Sequence, residues 1–189
     1  MITVVVGIPR SGTSLMMNLL KHAGVPILSN EAARPDRYNP DGYFEWSEIN
    51  ELTRLPGIID FAEGKAIKVL SHQALYLPPG REYKFIFMVR DLHEVMASQV
   101  AFVGKPNSIT QHNWQQAFDT LRHVRAAVKR RLTTLGPILF VDYNDLVYRP
   151  TRQCETVLDF LGLPYDNLTQ MVAVVKPQYQ HQRSVIPKC

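Results

Sequence analysis

The chain has 189 residues, of which 46% are hydrophobic and 20% are charged, so it is long enough to bury a full core. Its net charge of +4 and pI near 9.1 suit an anionic ligand but do not require nucleic acid. The length is compatible with one domain over residues 1–189. No uncharged run approaches the roughly 18 residues of a membrane span, so we expect no membrane insertion and take a reducing, cytoplasmic setting as the default. Cys154 and Cys189 lie far apart and predict neither a disulfide framework nor a zinc site.

The N-terminal segment predicts a strand, a glycine-bracketed loop and a helix in succession. The apolar run Ile2–Val6 precedes the loop GIPRSGTS at Gly7–Ser14, and a helical apolar stripe covers Leu15–Ala23. The first amides of a helix have no intrahelical acceptor and lie at the positive end of the helix dipole. The loop therefore predicts a phosphate-binding site.

The loop departs from the nucleoside-triphosphate pattern at one position. That pattern reads G-x-x-x-x-G-K-[ST], and Gly7, Gly12 and Ser14 fit it. Thr13 stands where the lysine that reaches the terminal phosphates is expected. We therefore expect the loop to bind a phosphate ligand other than ATP.

The rest of the chain alternates between predicted strands and helices. The segment Ser29–Tyr43 is rich in Pro, Asn, Asp and Arg and predicts a loop. The predicted strands are Ala66–Leu70, Lys84–Val89 and Pro137–Val141, and the predicted helices begin at Asp91 and cover Trp114–Leu132 and Pro150–Leu161. Asp91 and Glu94 resemble a capping box. Strands separated by helices predict an α/β fold with a mostly parallel sheet.

A second phosphate-binding segment is predicted at the next strand-to-helix junction. In an open parallel sheet, ligands lie beyond the carboxyl ends of the strands, where Pro9–Ser14 and Arg90 both fall. Arg90 offers a planar fork of donors for a phosphate dianion, and Ser98 can add a hydroxyl on the same rim. The alternative is an arginine that forms a salt bridge and a serine that faces solvent.

Both segments resemble motifs of sulfotransferases that use 3′-phosphoadenosine 5′-phosphosulfate (PAPS). The run Pro9–Leu15 is similar to that family's 5′-phosphosulfate loop, and Phe87–Ser98 is similar to its 3′-phosphate motif. Shorter similarities follow at Leu139–Leu146 and Phe160–Pro164. The resemblance implies a three-layer α/β fold related to P-loop NTPases. It also implies a sulfotransferase that moves the sulfuryl group of PAPS to a hydroxyl or amine and releases 3′,5′-ADP.

The resemblance also assigns residues to roles. Arg10 is predicted to contact the leaving oxygen or the sulfuryl group, and Arg183 is included because basic residues near the C-terminus contact the donor in this family. A disordered tail is the alternative for Arg183. The predicted donor-binding residues are Arg10, Ser11, Gly12, Thr13, Ser14, Arg90, Ser98 and Arg183. Positioning and electrostatics dominate this kind of transfer, so we expect no metal.

Two glutamates are candidates for the base that takes the acceptor proton. Glu31 resembles in placement the catalytic glutamate of the tyrosylprotein branch, and we favour it. Glu45 lies in an N-P-x-G-Y-x-E stretch at Asn39–Glu45 that is similar to related bacterial sequences. Partial desolvation raises the pKa of a carboxyl group and makes it a better base near neutrality. A solvated loop glutamate is the alternative for Glu31.

Two other function classes fit parts of the sequence. In a P-loop small-molecule kinase or NTPase, the run Ile138–Asp142 would supply the aspartate that holds magnesium, but Thr13 argues against this class. The other class is a catalytically silent protein that binds PAPS or its product. Small-molecule, carbohydrate and peptide acceptors all fit the sequence. The basic residues within Arg122–Arg131 predict a solvated helix face rather than a nucleic-acid interface.

Overall fold

The fold is built on a four-stranded parallel sheet. A computed structural model describes residues 1–30, 39, 41–103 and 111–176. The strands are β1 (Ile2–Gly7), β2 (Ala66–Leu70), β3 (Tyr83–Val89) and β4 (Ile138–Asp142). They pair in parallel in the order β2-β1-β3-β4, so the predicted strands and the predicted parallel sheet are confirmed.

Helices connect the strands and follow the last one. They are α1 (Thr13–His22), α2 (Ser71–Ala74), α3 (Leu92–Val103), α4 (Gln111–Thr133), α5 (Tyr143–Tyr148), α6 (Pro150–Leu161) and α7 (Leu168–Val174). The predictions of α1, α3, α4 and α6 are confirmed. Short 3₁₀ helices cover Ser47–Glu51, Pro56–Ala62 and Tyr165–Asn167. Within the described ranges, no helix combines the length and the apolar character that crossing a membrane requires.

The core lies on both faces of the sheet, which makes three layers. Val4 and Val6 of β1 share a buried cluster with Val128 and Leu132 of α4. Val5 points to the opposite face, because side chains alternate along a strand, and belongs to a second buried cluster. That second cluster includes Met16, Met17, Leu19 and Leu20 of α1, Cys154, Val157 and Leu158 of α6, and Met171 and Val174 of α7.

The start of α3 fits the predicted capping box only in part. The carboxylate Oδ1 of Asp91 accepts hydrogen bonds from the amides of His93 at 2.8 Å and Glu94 at 3.2 Å, as an N-cap residue does. The Glu94 side chain accepts instead from Arg90 Nε, at 2.9 Å. A charge-assisted hydrogen bond to a buried guanidinium is stronger than one to a backbone amide, so Glu94 is turned toward the carboxyl end of β3.

The turn between α4 and β4 gives a test of the packing at the sheet edge. A Cβ atom at Gly136 would lie 2.6 Å from the backbone carbonyl oxygen of Tyr83. We expect Gly136→Ala to lower the free energy of unfolding by about 1–3 kcal/mol, the usual range for overpacking. For a chain of this size each kcal/mol lowers the Tm by roughly 2–4 °C, which calorimetry detects. The matched control is Gly57→Ala, because a Cβ atom at Gly57 meets nothing within 4 Å.

Candidate functional site

The carboxyl ends of β1 and β3 bring the two predicted phosphate-binding segments together. Gly7 pairs with Met88 across the two strands, so the loop after β1 and Arg90 after β3 leave the sheet at the same edge. A cavity of about 880 Å³ opens there. The predicted site residues that line it are Arg10, Gly12, Thr13, Ser14, Glu45, Arg90 and Ser98.

The backbone of the loop needs glycine at Gly12 for two reasons. Gly12 is the N-cap residue of α1 and has a φ of 97°, in the left-handed region that favours glycine. A Cβ atom there would lie 2.5 Å from Cδ2 of Tyr143, so the aromatic ring packs directly on the loop backbone. Among the described residues, no side chain caps α1 at this position. The N-terminus of the helix therefore presents its dipole and its first amides toward the cavity.

Direct hydrogen bonds join the loop to α3. Arg10 Nε donates to Ser98 Oγ at 3.1 Å, and Gln99 Nε2 donates to the carbonyl of Pro9 at 3.0 Å. The Arg10 guanidinium also lies 5.3 Å from the ring centroid of Phe102, within the range of a cation–π contact. Arg10 adopts a φ of 77°, which is unusual for a residue with a side chain. These contacts fix the side chain of Arg10 against the second predicted segment.

Arg90 is both a salt-bridge residue and a cavity residue. It is 7% exposed, and its Nη1 donates to the carbonyl of Arg10 at 3.2 Å while its Nε is bonded to Glu94. Its guanidinium stacks 4.4 Å from the ring centroid of Tyr143. Burial raises the pKa of the Tyr143 phenol, so its ring stays neutral beside the arginine near neutral pH. Arg90 therefore forms the salt bridge of the alternative interpretation and also lines the cavity in which the 3′-phosphate site was predicted.

A buried lysine that no sequence motif indicated adds a further cation to the cavity. Lys68 lies in β2, is 4% exposed and lines the cavity. Its Nζ donates to Glu45 Oε1 at 3.1 Å and to the carbonyl of Tyr43. Burial lowers the pKa of Lys68, and the Glu45 carboxylate partly opposes that shift. A single lysine inside the apolar run Ala66–Leu70 was the signal that could have revealed it, because an isolated charge in a buried strand needs a reason.

Residues of the segment Asp41–Glu45 also line the cavity. Ser14 Oγ donates to the carbonyl of Tyr43 at 3.3 Å, and Lys176 Nζ donates to Asp41 Oδ1 at 3.1 Å. The charged residues that line the cavity are the cations Arg10, Lys68, Arg90 and Lys176 and the acids Asp41 and Glu45. This excess of positive charge, next to a helix N-terminus, suits a polyanionic ligand.

Ser11 is not brought to the cavity, although it was predicted to contact the phosphate. It is 2% exposed, and its amide donates to the carbonyl of Ile8 at 3.0 Å. Its Oγ is buried and has no hydrogen-bond partner in the part of the chain that the structure describes. A Cβ atom at Gly7 would lie 2.3 Å from that Oγ, so the serine side chain packs against the backbone at the end of β1. Glu31 and Arg183 lie outside the described residues.

Asp142, which would hold magnesium if the chain were a kinase, has a structural role as a helix cap. Asp142 Oδ1 accepts hydrogen bonds from the amides of Asn144 at 2.8 Å and Asp145 at 3.0 Å, so it caps α5. Asp142 is not among the residues that line the cavity. Over residues 1–30, 39, 41–103 and 111–176, no three His, Cys, Asp or Glu side chains are grouped as metal ligands are.

Comparison with known proteins shows a match to one family model over part of the chain, and it supports the fold. Residues 81–167 match the model of the sulfotransferase family. The fold is similar to that of the sulfotransferase domain from the Synechococcus PCC 7002 olefin synthase, with a TM-score of 0.54 and 19% sequence identity over 98% of this chain and 84% of that chain. No curated protein matches the sequence. The predicted resemblance to sulfotransferases and the predicted fold class are confirmed.

The ion pair between Lys68 and Glu45 gives a test of the site's electrostatics. Because the Glu45 carboxylate raises the pKa of the buried lysine, Glu45→Gln should move the titration of Lys68 to lower pH. Heteronuclear NMR of the lysine Cε and Nζ nuclei measures the midpoint directly. Glu48→Gln is the matched control, since Glu48 accepts hydrogen bonds from Asn30 and Ser47 instead. An unchanged midpoint in Glu45→Gln would contradict the pairing.

Proposed function

We propose that this sulfotransferase-family chain transfers the sulfuryl group of PAPS to a hydroxyl or amine of an acceptor and releases 3′,5′-ADP. The single observation that carries the proposal is the contact between the two predicted phosphate-binding segments. Arg10 of the loop donates to Ser98 of α3, and both residues line one cavity with Arg90. A donor with phosphates at both its 5′ and 3′ positions needs two such anion sites in one cavity.

The cavity fits this donor in size and charge. Its volume is about 880 Å³, and ligand sites for molecules of this class typically occupy 300–1,000 Å³. In the proposal, the N-terminus of α1 and the hydroxyls of Thr13 and Ser14 hold the 5′-phosphosulfate. Arg90 and Ser98 hold the 3′-phosphate, which distinguishes PAPS from ATP. Thr13 in place of the loop lysine agrees with a ligand that has no γ-phosphate.

The proposed reaction is one in-line displacement at sulfur. An acceptor oxygen or nitrogen attacks the sulfur, and a new bond to sulfur forms as the bond between sulfur and the bridging oxygen breaks. The electron pair of the broken bond stays on the leaving 5′-phosphate, and the acceptor proton passes to a carboxylate. Charge therefore builds on the bridging oxygen and on the peripheral oxygens of the transferred group.

Arg10 and Lys68 are suited to stabilise that charge. Both line the cavity, and hydrogen bonds to Ser98 and Glu45 respectively hold them in place before any ligand binds. Fixed cations of this kind need little reorganisation during reaction, and they act strongly in a site that excludes water. We assign Arg10 to the leaving oxygen and Lys68 to the oxygens of the transferred group.

Two glutamates are the candidates for the base that takes the acceptor proton. Glu45 lines the cavity and accepts the Lys68 hydrogen bond with Oε1, so among the contacts of the described residues Oε2 is left to take a proton from a bound acceptor. Glu31 is the other candidate, by its placement in the sequence. A protein that binds PAPS without turnover is the second function to consider, and the absence of transfer to any acceptor would support it.

The nucleotide assignment is tested by comparing 3′,5′-ADP with 5′-AMP, which lacks only the 3′-phosphate. We expect 3′,5′-ADP to bind at least tenfold more tightly, because charge-assisted hydrogen bonds contribute about 1.5–3 kcal/mol each. Arg90→Lys and Ser98→Ala should reduce that ratio and leave the affinity for 5′-AMP nearly unchanged. Isothermal titration calorimetry measures both constants.

The control for this experiment is Arg81→Lys. Arg81 pairs with Asp60, lies outside the Gly7–Ser14 loop and does not line the cavity. Its replacement should therefore preserve the ratio of the affinities for 3′,5′-ADP and 5′-AMP. Equal affinity of the wild type for 3′,5′-ADP and 5′-AMP would contradict the 3′-phosphate site. Binding of magnesium ATP without binding of 3′,5′-ADP would favour the kinase alternative.

The base is tested by comparing Glu31→Gln with Glu45→Gln. We expect the variant that lacks the base to lose about 10²- to 10⁴-fold in kcat while it binds 3′,5′-ADP as the wild type does. The amide keeps the shape of the side chain and cannot take the proton. Release of labelled 3′,5′-ADP from PAPS, followed with the acceptor in excess, measures kcat. Full activity of both variants would reject a glutamate base at these positions.

A further inference from the structure

We infer that a second cavity beside the first is the acceptor site and that it takes a neutral polyhydroxylated molecule such as a sugar. The inference rests on the proposed sulfuryl transfer and adds the substrate class and its location. The second cavity has a volume of about 250 Å³. It shares Glu45, Lys68 and Leu70 with the larger cavity, so these residues form the wall between the two.

The position of this wall fits a transfer between two bound molecules. The larger cavity contains the phosphate loop, and the smaller one lies on the other side of the pair formed by Lys68 and Glu45. An acceptor hydroxyl in the smaller cavity would reach the transferred group at this pair. The Glu45 side chain is 49% exposed, which leaves it accessible to such a hydroxyl, whereas Lys68 is buried.

Neutral hydrogen-bonding side chains form one part of the lining of the second cavity, beside His72, the pair Lys68 and Glu45, and the apolar residues Trp46, Ile49 and Leu70. Asn30 Nδ2 donates to Ser47 Oγ at 2.6 Å, and Gln73 Nε2 donates to Asn50 Oδ1 at 2.8 Å. The amide of Leu70 donates to Gln73 Oε1 at 2.8 Å. These hydrogen bonds fix the orientation of the amide groups before a ligand binds, which reduces the entropy that binding costs.

The amide groups keep capacity for further hydrogen bonds. A primary amide has two N–H donors and an oxygen that can accept two hydrogen bonds. Asn50 donates to the carbonyl of Ser47 at 3.0 Å and accepts from Gln73, so one donor and one acceptor position remain among the described contacts. Gln73 has one N–H left in the same way. Groups that offer both donors and acceptors match hydroxyls, which also do both.

The lining disfavours the other acceptor classes. A sterol would need broad apolar walls, but the apolar lining is limited to Leu70 and to Trp46 and Ile49, which are only 6% and 4% exposed. An anionic acceptor would meet the Glu45 carboxylate at the wall, and the Glu48 carboxylate accepts hydrogen bonds from the lining residues Asn30 and Ser47. A neutral polyol avoids both costs and uses the fixed amides.

The first experiment is binding of the protein, loaded with 3′,5′-ADP, to an array of neutral glycans. Glycans that bind are then incubated with ³⁵S-labelled PAPS and the wild type, with 4-nitrophenol and a tyrosine-containing peptide as competing acceptor classes. We expect saturable glycan binding and label in the glycan. Absence of binding to every glycan would overturn the inference, and so would labelling of the phenol or the peptide without labelling of any glycan.

The cavity itself is tested with Asn50→Leu and with Asn50→Asp, which keeps the shape of the side chain but lacks its N–H donors. We expect the KM for the glycan to rise about three- to tenfold, as the loss of one neutral hydrogen bond predicts, with the KM for PAPS unchanged. Gln170→Leu is the control, since Gln170 is an exposed residue of α7 that lines neither cavity.

Two outcomes separate the inference from the proposed function. Unchanged glycan KM in both Asn50 variants, with normal affinity for 3′,5′-ADP, would overturn the acceptor site and leave sulfuryl transfer intact. Failure of the wild type to bind 3′,5′-ADP and to consume PAPS would overturn the proposed function itself, and the acceptor site with it.

Discussion

The parallel pairing of β1 with β3 is the constraint on which the site depends. Parallel neighbours end at the same edge of a sheet, so the loop after β1 and the arginine after β3 emerge side by side. The register from Ile2 with Tyr83 to Gly7 with Met88 fixes their relative height. A shift of this register would separate Arg10 from Ser98 and remove the hydrogen bond that joins the loop to α3.

The buried cations of the site, Arg90 and Lys68, each have an ion-pair partner and further polar or aromatic contacts. A buried ion pair is tolerated only when hydrogen bonds compensate for the lost hydration of both groups. Arg90 has Glu94, the Arg10 carbonyl and the Tyr143 ring around it, and Lys68 has Glu45 and the Tyr43 carbonyl. Such arrangements contribute little to overall stability, but they hold cations in fixed positions where an anion can bind.

Much of the fold could be predicted because its elements carry strong local patterns. The long apolar runs of β1 and β3 and the periodic stripes of α1 and α6 are visible in the sequence itself. The short helix α5 has no such pattern, since its start depends on Asp142 accepting two backbone amides. Its first residue, Tyr143, was therefore missed as a site residue, although it contacts both Gly12 and Arg90.

Site residues could be predicted from the sequence where they lie together in one short motif. The loop residues Arg10 and Thr13 were found in this way, and they line the cavity as expected. Lys68 was not predicted as a site residue because its partner Glu45 is distant in sequence. Only the folded structure brings the segment Asp41–Glu45 into contact with β2. Pairings of this kind follow from tertiary structure, which no local pattern encodes.

The left-handed backbone at Arg10 has a consequence for how the chain can change. A residue with a side chain loses roughly 1–2 kcal/mol in that conformation, and glycine does not. Glycine at this position would thus relax the turn while removing the guanidinium that bonds to Ser98. Glycine at position 10 would favour stability and arginine would favour the contact to Ser98, so selection for stability alone would replace the arginine.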